Sequence, residues 1–271
     1  MSDHPAVTAG GMPTFGIGTW QNTEPDECAQ AVQTALEVGY RHVDTAQIYE
    51  NEADVGRGIA NAAVDRDEVF LATKVWIDSL APADVKRTTR ESLSRLGVDS
   101  VDLLYVHWPA DAYDPERTFP AFEELKDEGL IDRIGVSNFL PEHLDRATEI
   151  LGEPPFANQV EMHPLLPQAE LQAAVADTRT EIVAYSPLAR GAVFEEPEIT
   201  AVAEKHGVSE AQVSLAWLRE KGVTVIPKAT SRAHIEDNWA SRELELTPAD
   251  IERIGAIDRT ERQVDPSFSP W

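Results

Sequence analysis

Short apolar runs alternate with stretches of helical periodicity from about residue 15 to about residue 240, the pattern of a parallel sheet assembled from βα units. Eight runs read as strands: Phe15 to Thr19, His42 to Asp44, Val69 to Lys74, Val101 to His107, Arg133 to Val136, Ala157 to Glu161, Glu181 to Tyr185 and Val223 to Pro227. The fourth is almost continuously apolar, as expected of a strand covered on both faces. Between the strands, Cys28, Ala29, Val32, Ala35 and Leu36 share one helical face, and Val85, Thr89, Leu93 and Leu96 share another. Helix starts are legible as well. Ser209 with Gln212 three residues later reads as a capping box, and Thr247 is followed by Pro248 at the first helical position and Asp250 in the first turn.

Eight units in 271 residues leave roughly 34 residues each, which favours closure into a (β/α)8 TIM barrel of α/β class. The expected organisation is one domain over 1–271, with an N-terminal segment at 1–13 and a C-terminal helix and tail at 247–271. An open doubly wound sheet is the alternative. Against it, neither Gly16 to Gln21 nor Gly56 to Asn61 completes the G-x-G-x-x-G turn that such sheets use to hold a dinucleotide.

Charge narrows the function classes. With 48 acidic residues against 23 Lys and Arg, the formal net charge is −25, so phosphate backbones and anionic lipid surfaces are repelled and neither nucleic acid nor membrane is an expected partner. The acidic residues are dispersed and lysines stand only at 74, 86, 126, 205, 221 and 228, which resembles proteins adapted to molar salt. Cys28 is alone, which excludes an intrachain disulfide and a Cys-based metal centre, and no metal is expected. No basic-then-apolar leader and no long apolar run is present, so a soluble cytoplasmic protein is expected.

In an α/β barrel the chemistry sits at the C-terminal ends of the strands. Asp44 ends the second strand and Tyr49 follows it, Lys74 ends the third and His107 the fourth. Taken singly, each has an ordinary structural explanation: a buried ion pair for Asp44 and Lys74, loop packing for Tyr49, a core imidazole for His107. Together they bring an acid, a phenol, an ammonium and an imidazole to one rim, where burial is costly unless they pair or do chemistry.

These residues sit within longer motifs. They include Gly16-Ile17-Gly18-Thr19-Trp20, the run from Gly39 through Asp44 and Tyr49 to Asn51-Glu52, Lys74-Val75-Trp76, His107-Trp108-Pro109, Gly135-Val136-Ser137-Asn138, Asn158-Gln159-Val160-Glu161, Tyr185-Ser186-Pro187-Leu188 and Ile226-Pro227-Lys228. In order and spacing, from about residue 10 to 260, the chain resembles an aldo-keto reductase. The short stretch between His107 and Phe119 and the brief tail after Asp265 resemble the microbial branch that includes 2,5-diketo-gluconate reductases.

The resemblance implies reduction of an aldehyde or ketone, a small-molecule carbonyl substrate, by hydride transfer from NADP(H), with Tyr49 as proton donor and Asp44, Lys74 and His107 completing the catalytic set. The residues agree with it. Negative charge develops on the carbonyl oxygen, and a phenol needs a neighbouring cation to release its proton near neutral pH. By resemblance, Ser137, Asn138 and Gln159 hold the nicotinamide carboxamide and Tyr185 stacks under its ring. Ser186, Leu188 and Gly191 lie along the pyrophosphate, and Asp237 and Asn238 lie near the adenine. Trp20, Trp76, Trp108 and Phe119 are expected to wall the substrate pocket, whereas Trp217 and Trp239 are assigned to packing. In the family's 2′-phosphate segment a Ser or Thr usually follows the Lys, and an Arg stands six positions after it. Here Ala229 follows Lys228 and His234 stands at the Arg position, leaving Lys228, Thr230, Ser231, Arg232 and His234 to do that work. NADP(H) is therefore expected first, with NAD(H) admitted, and the family's ordinary state is a monomer. Two other classes are compatible with these residues: a nicotinamide-sensing module without turnover, and a barrel hydrolase using Asp44 and Glu161 as a carboxylate pair.

Overall fold

The computed structural model describes residues 6–271, so residues 1–5 of the expected N-terminal segment lie outside the described residues. Eight parallel strands form one sheet in sequential order: β1 (Ile17–Gly18), β2 (His42–Asp44), β3 (Phe70–Val75), β4 (Val101–Val106), β5 (Ile131–Ser137), β6 (Ala157–Glu161), β7 (Glu181–Tyr185) and β8 (Thr224–Val225). The first and last segments also meet. Phe15 pairs in parallel with Val225 and Gly18 with Lys228, and the Gly16 N–H donates to the Val225 carbonyl at 2.8 Å. The arrangement is a single α/β domain consistent with the expected (β/α)8 fold. At this seam the runs read as 15–19 and 223–227 reduce to two-residue ladders continued by isolated bridges.

Crossover helices pack outside the sheet: α1 (Pro25–Val38), α2 (Glu52–Asn61), α3 (Pro82–Leu96), α4 (Pro115–Asp127), α5 (Pro141–Leu151), α6 (Ala169–Val175), and the pair α7 (Pro197–His206) and α8 (Glu210–Glu220) between β7 and β8. After β8 come α9 (Arg232–Ala240) and α10 (Pro248–Gly255). The apolar faces read in α1 and α3 are buried as expected. Thr247 and Asp250 form the reciprocal cap of α10. At α8 only half of the expected box is present: Ser209 Oγ accepts from the Gln212 N–H, while the Gln212 side chain turns to Asp237.

The inner face of the sheet follows the two-residue strand period. Phe70 and Ala72 on β3, Leu103 and Tyr105 on β4, Ala157 on β6 and Val183 on β7 cluster there with Met12 and Ile226. Gly135 on β5 leaves room for the Tyr105 ring, which a Cβ would meet at 2.7 Å. Extending each series by two residues gives Lys74, His107, Gln159 and Tyr185. The apolar floor thus dictates that polar residues at the strand ends face one another.

Candidate active site

A cleft of about 470 Å³ opens at these strand ends, lined by Trp20, Asp44, Tyr49, Trp76, His107, Trp108, Ser137, Asn138, Gln159, Tyr185, Ser186 and Lys228, among others. Lys74 is fully buried behind it. Its ammonium donates to Asp44 Oδ1 at 2.5 Å and to the Thr45 carbonyl at 2.8 Å, and lies 3.5 Å from the Tyr49 hydroxyl. The other Asp44 oxygen accepts from Gln159 Nε2 at 2.7 Å. A carboxylate bonded on both oxygens holds one charged neighbour, and that neighbour points at the phenol.

Electrostatics separate the two candidate acids. Burial, then the Lys74 charge, push His107 well below the usual imidazole range, so it is neutral at neutral pH. Burial and the Asp44 carboxylate raise the Tyr49 phenol well above its ordinary value, so it is protonated at neutral pH. Burial lowers Lys74, and Asp44 opposes that shift.

The residues of the expected carboxamide site form one network. Ser137 Oγ donates to the Gln159 carbonyl at 2.7 Å, Asn138 Nδ2 donates to the His107 carbonyl and to Ser137 Oγ at 3.0 Å each, and the Tyr185 hydroxyl donates to Asn138 Oδ1 at 2.8 Å. Asn138 adopts a left-handed conformation, φ 63°, as β5 ends. Backbone strain recurs after β7, where Ser186, Ala189 and Arg190 are left-handed and Gly191 has φ 103°. Non-glycine residues hold such angles at a cost of about 1 kcal/mol or more each, and strain of this kind concentrates at ligand-binding segments. Amide donors and acceptors at one end of the cleft and Lys228 at the other fit the chemistry of a nicotinamide dinucleotide.

The signature pair Asn51-Glu52 lies outside the cleft and braces it. Asn51 Nδ2 donates to the Thr19 and Asn22 carbonyls, its Oδ1 accepts from Thr45 Oγ1, and buried Glu52 accepts from Thr73 Oγ1 and Arg95 Nε. These bonds tie the loop carrying Trp20 to the strand ends carrying Asp44 and Lys74.

Several expected residues lie away from this cleft. Leu188 packs against the core. Thr230 and Ser231 precede α9, whose first turn carries His234, and Ser231 Oγ caps the His234 N–H. The Asp237 carboxylate is engaged by Ser209 Oγ and Gln212 Nε2, and Asn238 is buried. Trp217 and Trp239 are packing residues as assigned, the latter stacked on Tyr40 at 4.7 Å.

Phe119 is corrected: it is fully buried in the outer core, edge-on to Tyr113 at 6.0 Å, and does not line the cleft. It shares the inward face of α4 with Phe122 and Leu125, so helical periodicity decides its place. Phe119→Ala is expected to cost about 3–5 kcal/mol of stability by opening a cavity. Denaturant unfolding should register that loss. The wall Phe119 was expected to supply comes from Phe268 in the tail, alongside Val264, Asp265 and Pro266. The sequence offered only an aromatic in a short polar tail as a sign of it.

Among the described residues no group of three or more His, Cys, Asp or Glu could hold a metal ion, and no helix is long and apolar enough to cross a membrane. Cys28 is buried, and burial pushes its thiol up to about 12.

Comparison with known proteins gives a consistent picture. The Aldo/keto reductase family matches residues 10–259. An aldo-keto reductase of Mycolicibacterium smegmatis is 42% identical over 256 residues, covering 93% of this chain and 91% of its own. Methylglyoxal reductase DkgA of Escherichia coli is 38% identical over 257 residues, with 93% and 91% coverage. The crystal structure of a Bombyx mori aldo-keto reductase in complex with NADP superposes with a TM-score of 0.90 at 32% identity, covering 97% of this chain and 95% of that one.

Proposed function

The chain belongs to the aldo/keto reductase family, and on that premise we propose that Tyr49 is its proton donor, tuned by Lys74 and Asp44, with His107 orienting the carbonyl oxygen. The protein is an NADP(H)-dependent aldo-keto reductase that reduces aldehydes or ketones to alcohols. Its eight βα units are read as a closed (β/α)8 barrel forming one domain over 1–271, with a C-terminal helix and tail at 247–271.

One observation carries the assignment of roles: a buried ammonium fixed by Asp44 and aimed at the Tyr49 hydroxyl, 3.5 Å away, in the wall of the cleft. Bound NADPH supplies the hydride. Ser137, Asn138 and Gln159 orient the nicotinamide carboxamide through the network tied to Asp44, and Tyr185 flanks the ring. As negative charge grows on the substrate oxygen, Tyr49 transfers its proton there and Lys74 stabilises the phenolate left behind. His107, neutral, donates a hydrogen bond to the same oxygen. Trp20, Trp76 and Trp108 form apolar walls around that polar centre. Ser186, Leu188 and Gly191 are read along the pyrophosphate, and Asp237 and Asn238 near the adenine. Consumption of NADPH with a panel of aldehydes tests the reading, and the absence of turnover with every aldehyde would overturn it.

The second cofactor, NAD(H), rests on a specific departure. Lys228 is exposed at the cleft's end, but Ala229 and His234 lack the hydroxyl and the guanidinium fork that suit a 2′-phosphate. At the molar salt suggested by the acidic surface, long-range attraction is screened within about 3 Å, so direct contacts decide between the cofactors. Both are expected to support activity, with NADPH preference shrinking as KCl rises. His234→Arg should raise that preference by about 1.5 kcal/mol, the low end for a hydrogen bond to a charged group, because the site faces solvent. Initial rates with each cofactor across a salt series check this. Strict NADPH dependence at every salt concentration, unaltered by His234→Arg, would show the phosphate site already complete. The chain is read as a cytoplasmic monomer of the microbial 2,5-diketo-gluconate reductase-like branch, adapted to high salt.

A further inference from the structure

Glu161 ends β6 fully buried, and the carbonyl-reducing chemistry does not use it. A buried carboxylate is costly unless its oxygens are hydrogen-bonded. Here Oε1 lies 2.8 Å from His163 Nε2 and accepts the Gln263 N–H at 2.6 Å, while Oε2 accepts the Val264 N–H at 2.8 Å. Two successive backbone donors of the C-terminal tail thus complete the site of one side chain, which leaves Glu161 no free oxygen for a hydrolytic pair with Asp44.

From this anchor the tail runs along the cleft, adding Asp265, Pro266 and Phe268 to its lining. Phe268 meets Trp76 and Trp108 edge-on at 5.8 and 5.4 Å, and Trp271 packs on Trp108 at 5.4 Å beneath the Arg262 guanidinium. Asp265 Oδ1 accepts from Ser269 Oγ and Trp271 Nε1, folding the tail end back on itself. The effect shows in exposure: Trp108 is 4% exposed, whereas Trp20, which the tail does not cover, is 37% exposed.

We propose that Glu161 is a positioning residue for substrate selection: by docking the tail at Gln263 and Val264 it sets Phe268 against Trp76 and Trp108, and the cleft so walled favours carbonyl compounds bearing a flat apolar group over small ones. The inference rests on the reductase reading above. A continuous aromatic wall of Trp76, Phe268 and Trp108 rewards a flat apolar substituent by contact and desolvation, which a two- or three-carbon aldehyde cannot exploit.

The test compares cinnamaldehyde with propanal, using NADPH and full-length protein. In Glu161→Gln an amide nitrogen replaces one carboxylate oxygen and confronts a donor, so one tail contact is lost. KM for cinnamaldehyde is expected to rise about tenfold, the scale of one hydrogen bond to a charged group, with propanal kinetics and NADPH affinity held within about twofold. Phe268→Ala should raise KM for cinnamaldehyde at least as much, and the double variant should be no worse than Phe268→Ala alone, because both act through one wall. Equal losses on both aldehydes, an unchanged profile, or additive losses in the double variant would overturn the proposal. Should Glu161→Gln fail to fold, hydrogen exchange on the wild-type protein decides: the Gln263 and Val264 amides are expected to exchange slowly, and fast exchange there would overturn the anchoring. Wild-type protein that turns over neither aldehyde would instead count against the reductase reading.

Discussion

Tyr49→Phe is expected to lower kcat by about a hundred- to ten-thousandfold, the range typical of a lost general acid, while NADPH affinity stays within a few-fold of wild type. The substitution removes one oxygen from a half-buried ring whose partner is the Lys74 ammonium at 3.5 Å. His107 does not replace it, because burial and the Lys74 charge keep the imidazole neutral near neutral pH. Steady-state kinetics together with quenching of tryptophan fluorescence by NADPH separate the two quantities. Retained kcat would remove Tyr49 from the chemistry.

The second large effect is expected from Lys74→Met. A unit charge about 4 Å away at an effective dielectric of about 20 is worth about 4 kcal/mol, enough to move a phenol by up to about three pKa units. Burial and Asp44 already raise the Tyr49 phenol, and the Lys74 ammonium 3.5 Å from its oxygen is placed to favour the phenolate. The phenol should therefore hold its proton more tightly. kcat should fall by about a hundredfold or more, and the alkaline limb of the remaining activity should move up by about one pH unit or more. The variant also leaves Asp44 as an uncompensated buried charge, at a cost of about 3–5 kcal/mol, so thermal unfolding should be recorded beside the rates. Adding Asp44→Asn relieves that cost. An alkaline limb that does not move in a folded variant would show that Lys74 does not tune Tyr49.

The strands β2, β6 and β7 were legible residue for residue from the alternation of short strand-like runs with helical stretches. The seam strands were not, because hydrogen-bonded ladders there shrink to two residues. Asp44, Tyr49, Lys74 and His107 could be singled out because each stands at, or just beyond, the end of an inner-face series, where a floor of apolar residues turns polar. The bracing role of Asn51 and Glu52 was hidden, since it depends on which loops touch. Phe119 was misplaced because its nearness in sequence to His107 outweighed the helical face it shares with Phe122 and Leu125. Phe268 was missed for a different reason. The tail from Gln263 onward has no period of its own, and its course is fixed by a carboxylate 102 and 103 residues earlier in the chain.

Carbonyl reduction by this family requires that the cleft deliver a hydride to a carbonyl carbon. Reduction of cinnamaldehyde with NADPH carrying deuterium at the transferable position of the nicotinamide, followed by mass and NMR analysis of the alcohol, tests it most directly. Deuterium from one face of the nicotinamide, and not the other, is expected at the carbinol carbon, with the hydroxyl proton exchanging with water. An alcohol without carbon-bound deuterium from either face, or no alcohol at all, would show that no hydride is transferred here.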